Sequence, residues 1–377
     1  MRRDVIVVGA GPAGALAARE IARQGASVLL LDRARFPRPK VCGACLSAGA
    51  LDELATMGLG DLPDALGAEP LSTLVLSAHE RSVRLPLERA RAVSRLAFDS
   101  ALVDAAREEG VDFWSNARAE LGAIHRDHRA LRVVRGGVGT DLRAGVVLDA
   151  SGLGGGLAAS DARGASVAAG SRIGLGATFR DAGYPVRPGD LHMVVGRGGY
   201  VGMVRVESGV LNVAAAVDPH ALQGTSPERV IARILASCRM KPLPRERVAE
   251  WRGTPLLTRA PQHVGAERLL RLGDAAGYVE PFTGEGMCWA MSGARAVVPL
   301  ALAGALRWEE AVLDAWREYH RAAVRKARRL CSVLTPALRR PRLVEAALAT
   351  LSIVPGLAAP LIRRAARTPA SLPAYSA

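Results

Sequence analysis

The chain has 377 residues, 49% of them hydrophobic, and carries a formal net charge of +14. That length suggests two or three folding units, and a chain this long buries roughly three quarters of its unfolded surface without disulfide or metal staples. The five cysteines, an odd number, do not read as a disulfide framework. The charge is local: residues 317–377 hold twelve Arg or Lys against Glu318 and Glu345, a balance of +10 that leaves +4 for residues 1–316.

Residues 5–8 form a continuous apolar run, the pattern of a parallel strand buried on both faces. Gly9, Gly11 and Gly14 follow as G-x-G-x-x-G. The first permits a tight turn, the second lets backbone approach a pyrophosphate, and the third packs a helix closely on the strand. The helix over 12–24 aims its N-terminal amides at that phosphate. Residues 27–31 form a second strand. Asp32 ends it, 18 residues after Gly14, where a carboxylate accepts hydrogen bonds from a ribose. Strand, turn, helix and acid together specify an adenine dinucleotide. The first strand starts at once after Met1, Arg2 and Arg3, which leaves no room for a signal peptide. A cytoplasmic protein with reduced thiols is the expectation.

Arg, Pro and Gly dominate residues 33–43, the composition of an extended loop. A helix is expected from Ser47, with Leu51, Leu54 and Met57 on one face and Gly58 and Gly60 ending it. Residues 71–78 and 82–87 alternate as a hairpin. Arg95 precedes a helix over 96–109, striped by Phe98, Leu102, Val103 and Ala106. Short strands over 119–124 and 131–134 lead to a buried strand at 146–148 that runs into Asp149-Ala150-Ser151-Gly152. Residues 174–218 hold several β-like runs separated by Gly, Pro and Asp turns, which predicts an antiparallel sheet. A helix over 227–238 and strands over 254–258 and 269–272 come next, the last leading into Gly273-Asp274. A long helix is expected from near Gly286, and another over 308–330 with Trp308, Val312, Trp316 and Tyr319 on one face. Residues 343–362 have the length of a membrane span, but Glu345, Pro355, Gly356 and Pro360 interrupt them, so two short helices are predicted.

Five separated pieces carry a resemblance. They are GAGPAG at 9–14 with Asp32, FPRPKVCG at 36–43, VSRLAFD at 93–99, DASG at 149–152 and GDAAGYVEPFTGEGM at 273–287. Over about residues 1–330 the chain resembles the flavoprotein superfamily of para-hydroxybenzoate hydroxylase type. It most resembles the geranylgeranyl reductase branch, with flavin-dependent halogenases and hydroxylases as cousins. The resemblance implies FAD and an α/β, Rossmann-like FAD-binding domain of glutathione reductase type. An antiparallel β-sheet substrate domain is inserted in it, and a helical tail follows. The expected division is 1–70, 93–172 and 263–330 for the FAD-binding parts. Residues 71–92 and 173–262 are assigned to the substrate domain and 331–377 to a basic tail.

Site residues follow from the same resemblance. Gly9, Gly11, Pro12, Ala13 and Gly14 would surround the pyrophosphate, with Asp32 and Arg33 at the adenosine end. Arg95 would reach the flavin side or the pyrophosphate. Gly273 and Asp274 would meet the ribityl chain, and Pro281 the isoalloxazine face. Gly284, Gly286 and Met287 would lie beside the ring, where the helix offers its positive end. Cys42 and Gly43 would sit next to the flavin, and Lys40 would contact FAD or substrate. Cys42 and Glu285 are the candidate catalytic groups, with a turn acid as the plain alternative for Glu285. A later strand–Asp–helix element returning to the same ligand favours FAD over NAD. No second G-x-G-x-x-G follows a clean strand, so transient NAD(P)H or a separate protein would supply electrons.

Cys42 and Cys45 form C-G-A-C, open to a redox dithiol, half a zinc site or packing beside the flavin. Zinc needs a second ligand pair, and His125 and His128 read as a polar turn, so no metal is expected. The stretch 200–204 lacks the W-x-W-x-I-P motif of the halogenases. The basic tail has no stacking-aromatic array, which argues against nucleic acid. It suits a membrane surface or an acidic carrier protein, or simply solvated helix faces. The expected function is an FAD-dependent oxidoreductase acting on a hydrophobic, polyprenyl or polyketide-like small molecule in natural-product biosynthesis. C=C reduction by reduced flavin is favoured over hydroxylation or epoxidation through a flavin hydroperoxide. A halogenase and a non-catalytic flavin-binding docking protein are the remaining alternatives.

Overall fold

A computed structural model describes residues 1–155, 157, 166–280, 282, 284–324 and 339–358. Two eight-stranded sheets organise it. In the first, five strands run parallel in the order Leu269–Arg271, Val138–Asp149, Arg2–Val8, Val28–Leu31 and Asp112–Trp114. The register pairs Val8 with both Leu31 and Asp149, and Leu148 with Leu270. The carboxyl ends of the central strands therefore finish level. Open α/β sheets bind their ligands beyond that edge.

The apolar run at 5–8 is buried on both faces, as its composition requires. Val5 and Val7 pack under the helices Pro12–Ala22, Arg95–Glu108 and Gly286–Leu306. Ile6 and Val8 face a meander of Ala117–Ile124, Arg129–Arg135 and the outer half of Val138–Asp149. Phe98, fully buried, contributes about 1.5–3 kcal/mol by leaving water. Helix Gly286–Leu306 is long and apolar enough to cross a membrane by length and composition, but 56% of its apolar window is buried inside the protein.

The second sheet runs Arg247–Leu256, Ile173–Phe179, Leu211–Val217, Gly199–Arg205, Asp190–Gly196, Glu69–Ala78, Arg81–Ala92 and Cys45–Leu46. Neighbours are antiparallel except Asp190–Gly196 and Glu69–Ala78, which are parallel. Helix Pro227–Ala236 covers one face through Val230, Ile231, Ile234 and Leu235. Helix Pro341–Ile353 and the turn Pro355–Ala358 pack beside the hairpin on the other face.

Several expected elements shift. The strand expected at 254–258 is instead Arg247–Leu256. It is an edge strand, mostly exposed, so no apolar run marks it, and Pro255 is tolerated because an edge needs fewer donors. Strand Val138–Asp149 begins eight residues before its buried end, because in its outer part only Leu142 and Ala144 turn inward among exposed residues and no continuous apolar run marks it. Strand Asp112–Trp114 is too short to show a period. The helix expected over 308–330 is Glu310–Tyr319 followed by a wider turn to Val324. Trp308 stands outside it, beside Gly304, and residues 325–330 lie outside the described residues.

The tightest contact in the first sheet is at Gly14. A Cβ there would lie 1.8 Å from the Gly9 carbonyl oxygen and 3.0 Å from the Ala150 Cβ. Gly14→Ala should therefore force the helix off the strand and cost about 1–3 kcal/mol, read as a lowered melting temperature of the FAD-free protein.

Candidate functional site

A cavity of about 1380 Å³ opens between the two sheets at the carboxyl edge of the first. It exceeds the ~300–1,000 Å³ of an ordinary single-ligand cleft, leaving space for two molecules. All the described residues nominated above line it, except Gly14, whose place is the strand–helix crossing. Pro281 lies outside the described residues.

One end of the cavity is polar. Gly9 adopts φ +109°, which only glycine holds without strain, and an added Cβ would lie 2.2 Å from the Ala150 carbonyl oxygen. Gly11 caps helix Pro12–Ala22, whose first amides open onto the cavity. The Arg95 and Arg38 guanidinium groups lie 3.5 and 3.8 Å from the position of a Gly11 Cβ. Asp99 holds both in place. It accepts two hydrogen bonds from Arg95, at 2.7 and 2.9 Å, and an ion pair from Arg38 at 3.1 Å. Asp32 accepts from the Ala10 and Ala34 amides and from Arg38. Asp149 accepts from the Ser151 amide, and burial raises its pKa. Asp274 and Gly273 lie across the same edge.

The loop after Asp32 crosses toward the second sheet, where Asn212 Nδ2 donates to the Cys42 carbonyl at 3.0 Å. Lys40 reaches into the cavity near Gly152. Desolvation beside the cavity wall, aided by the charge of Arg95, lowers its pKa. Cys42 and Cys45 are free thiols. Burial, with Cys42 and Glu285 nearby, pushes Cys45 up to about 12, which keeps it a thiol. Among the described residues no group of His, Cys, Asp and Glu could hold a metal. His125 and His128 stack on one another.

Glu285 sits at the amino end of helix Gly286–Leu306, only 3% exposed. Ser47 Oγ donates to its Oε2 at 2.9 Å. Burial outweighs that bond and pushes Glu285 up to about 8, so a neutral carboxylic acid faces the cavity at pH 7.

The residues at the polar end fit FAD. A glycine turn meets a helix N-terminus and the half-buried cations Arg38 and Arg95 where a pyrophosphate would lie, with carboxylates at strand ends for ribose and ribityl hydroxyls. The family described as FAD binding domain matches residues 2–331. The chain belongs to the FAD binding domain family. FAD is therefore its cofactor. A 57-residue stretch is 56% identical to menaquinone reductase from Mycobacterium tuberculosis, covering 15% of this chain and 14% of that one. Digeranylgeranylglycerophospholipid reductase from Methanosphaerula palustris is 31% identical over 157 residues, 40% of this chain and 38% of that one. The chain thus matches well under half the length of these relatives. The structure of the flavin-dependent brominase Bmp2 superposes with a TM-score of 0.80 at 18% identity, covering 97% of this chain and 94% of that one. That likeness establishes a shared fold.

Arg38, Asp99 and Ser47 were not singled out by sequence. Asp99 had a legible signal, four residues after Arg95 on one helix face, and Ser47 had one as a helix cap. Arg38 had none, because its partners Asp32 and Asp99 meet only in the fold.

Gly11 and Gly14 separate cofactor binding from folding. Gly11 has φ −84° and its nearest neighbours are at ordinary contact distance. Gly11→Val should leave the melting temperature of the FAD-free protein nearly unchanged. FAD affinity should fall about 100-fold or more, some 2.7 kcal/mol, measured by quenching of flavin fluorescence.

Proposed function

We propose that this FAD binding domain family member reduces carbon–carbon double bonds in an apolar, prenyl-type molecule. The observation that carries the reading is Glu285, buried at the cavity wall beside Ser47, where burial pushes its pKa up to about 8. Reducing an isolated alkene takes a hydride and a proton. FAD held at the glycine turn and reduced by NAD(P)H or another external donor would supply the hydride. Glu285 holds the proton. The Ser47 hydroxyl orients its Oε2, leaving Oε1 to carry the hydrogen toward the substrate.

The rest of the cavity suits an apolar guest. Leu74, Leu85, Met193, Tyr200, Phe282 and Leu348 wall the half that faces the second sheet. Tyr200 and Phe282 meet edge to face at 5.1 Å. Such walls exclude water from the reacting carbon and orient a hydrocarbon chain by shape. The two curated relatives reported above are reductases by name, one of a quinone and one of a digeranylgeranyl phospholipid.

The acid form of Glu285 persists at neutral pH and is lost as pH rises through about 8. Turnover of a prenylated quinone or a geranylgeranyl lipid should therefore fall on the alkaline side with an apparent pKa near that value. Glu285→Gln should lower kcat roughly 100-fold or more and remove that limb, while FAD affinity is kept. The assay is product saturation by mass spectrometry, run without oxygen. Turnover that requires oxygen and inserts an oxygen atom would overturn reduction in favour of monooxygenation.

A further inference from the structure

The apolar half of the cavity has a direction. The hairpin of Glu69–Ala78 and Arg81–Ala92 runs along it. At the open end of that hairpin Ala92 pairs with Cys45, two residues before Ser47, whose hydroxyl donates to Glu285. Cross-strand rows of apolar side chains then follow one another toward the hairpin turn. Leu71 stands opposite Ala90, Leu74 lies between Leu85 and Leu191, and Leu76 between Val83 and Met193. Leu74, Leu76, Leu85, Ala90, Leu191 and Met193 all line the cavity. The strand from Leu71 to Leu76 covers about 16 Å at its usual rise per residue.

The helix Pro341–Ile353 stands at the turn end of these rows. Its Glu345 meets Nδ1 of His79, in the hairpin turn, at 2.9 Å, and Arg339 just before it pairs with Asp218 at 3.3 Å. Val344 and Leu348 are buried in one cluster with Ala78, Val83 and Leu85. Leu343, Ala347 and Leu351, each four residues after the last, form the neighbouring row on the helix, and all three line the cavity. Ala347 is the short side chain between two leucines, so it leaves the widest space along that row. Glu285 and this helix therefore stand at opposite ends of the hairpin.

We infer that Ala347, with Leu343 and Leu351 beside it, is the end wall of the substrate pocket and sets the length of chain the protein accepts. The inference rests on the proposed apolar substrate and adds the residues that select among such substrates. A guest whose reacting carbon lies at Glu285 lays the rest of its chain along the leucine rows. Each further prenyl unit gains affinity while it still exchanges water for those side chains. The gain stops where the chain meets the helix, because a packed wall held at Glu345 and Arg339 does not yield to one more unit. A larger side chain at position 347 moves the wall toward the acid and leaves the space nearest Glu285 unchanged.

The test is calorimetric titration of the full-length, FAD-loaded, oxidised protein with geraniol, farnesol and geranylgeraniol. No electron donor is present, so binding is read without turnover. Ala347→Trp lowers affinity for the longest alcohol that the wild type binds about tenfold or more, and keeps geraniol within about twofold. Ala346→Trp, which places the same ring on an exposed neighbour outside the cavity wall, binds all three like wild type. Should the tryptophan variant not fold, Ala347→Leu gives the same order of effects. An Ala347→Trp protein with wild-type affinity for every alcohol overturns the inference, as does one weakened equally for all three. A wild type that binds no alcohol longer than geraniol overturns it too. A length limit that moves with Ala347→Trp in a protein that never saturates its guest keeps the wall and removes the reduction. Reduction that persists while Ala347→Trp stays blind to length removes the wall alone.

Discussion

The closeness of Gly14 to Gly9 and Ala150 is the constraint from which the rest of the site follows. With no side chain at either glycine, helix Pro12–Ala22 starts directly on the turn after the first strand. Its amides then point past the carboxyl ends of strands that finish level, at Leu31, Asp149 and Arg271. Asp32, the 149–152 turn and the Gly273-Asp274 turn are carried to one edge by that register. Any larger residue at Gly14 would tilt the helix and scatter groups that lie as far apart in sequence as Asp32 and Asp274.

The cavity is polar at one end and apolar at the other, and each end is prepared electrostatically before any ligand arrives. At the polar end the buried Asp99 fixes two arginines beside the helix N-terminus, so a pyrophosphate meets cations already in place. A buried carboxylate of this kind is stable only because it is paired and hydrogen-bonded. At the other end the same desolvation acts on an acid without a cation. Among the described residues the Glu285 carboxyl accepts a hydrogen bond from the Ser47 hydroxyl and is paired with no cation, and burial pushes its pKa up to about 8. One physical effect, burial, yields a charged clamp in the first case and a neutral acid in the second.

The apolar end is braced by a buried network. Arg172, 2% exposed, pairs with Glu280 at 3.0 Å and Asp218 at 3.2 Å, and its guanidinium lies over the Tyr200 ring. Glu280 belongs to the turn that leads to Glu285, and Asp218 also receives Arg339 from the segment before the last helix. Breaking one partner of such a buried pair commonly costs about 3–5 kcal/mol. The substrate wall at Tyr200 and the segment before the last helix thus share one anchoring point at Arg172 and Asp218.

Much of the site was written in local patterns. The apolar run at 5–8, the three glycines after it and the acid at Asp32 have fixed spacings because strand, turn and helix have fixed geometries. The sequence alone therefore determined the cofactor cradle, and the turns at 149–152 and 273–274 could be matched to it. The protonation of Glu285 could not be read, since it depends on the low-dielectric surroundings that Ser47, Cys45 and the long helix create together. Nor could the Asp32–Arg38–Asp99–Arg95 chain, whose members come from a strand end, a loop and a helix. The last helix reads as an interrupted apolar stretch whichever surface it meets. Only the tertiary structure decided that one side of it lines the cavity and the other faces outward, because burial is a property of what packs against a residue and not of the residue itself.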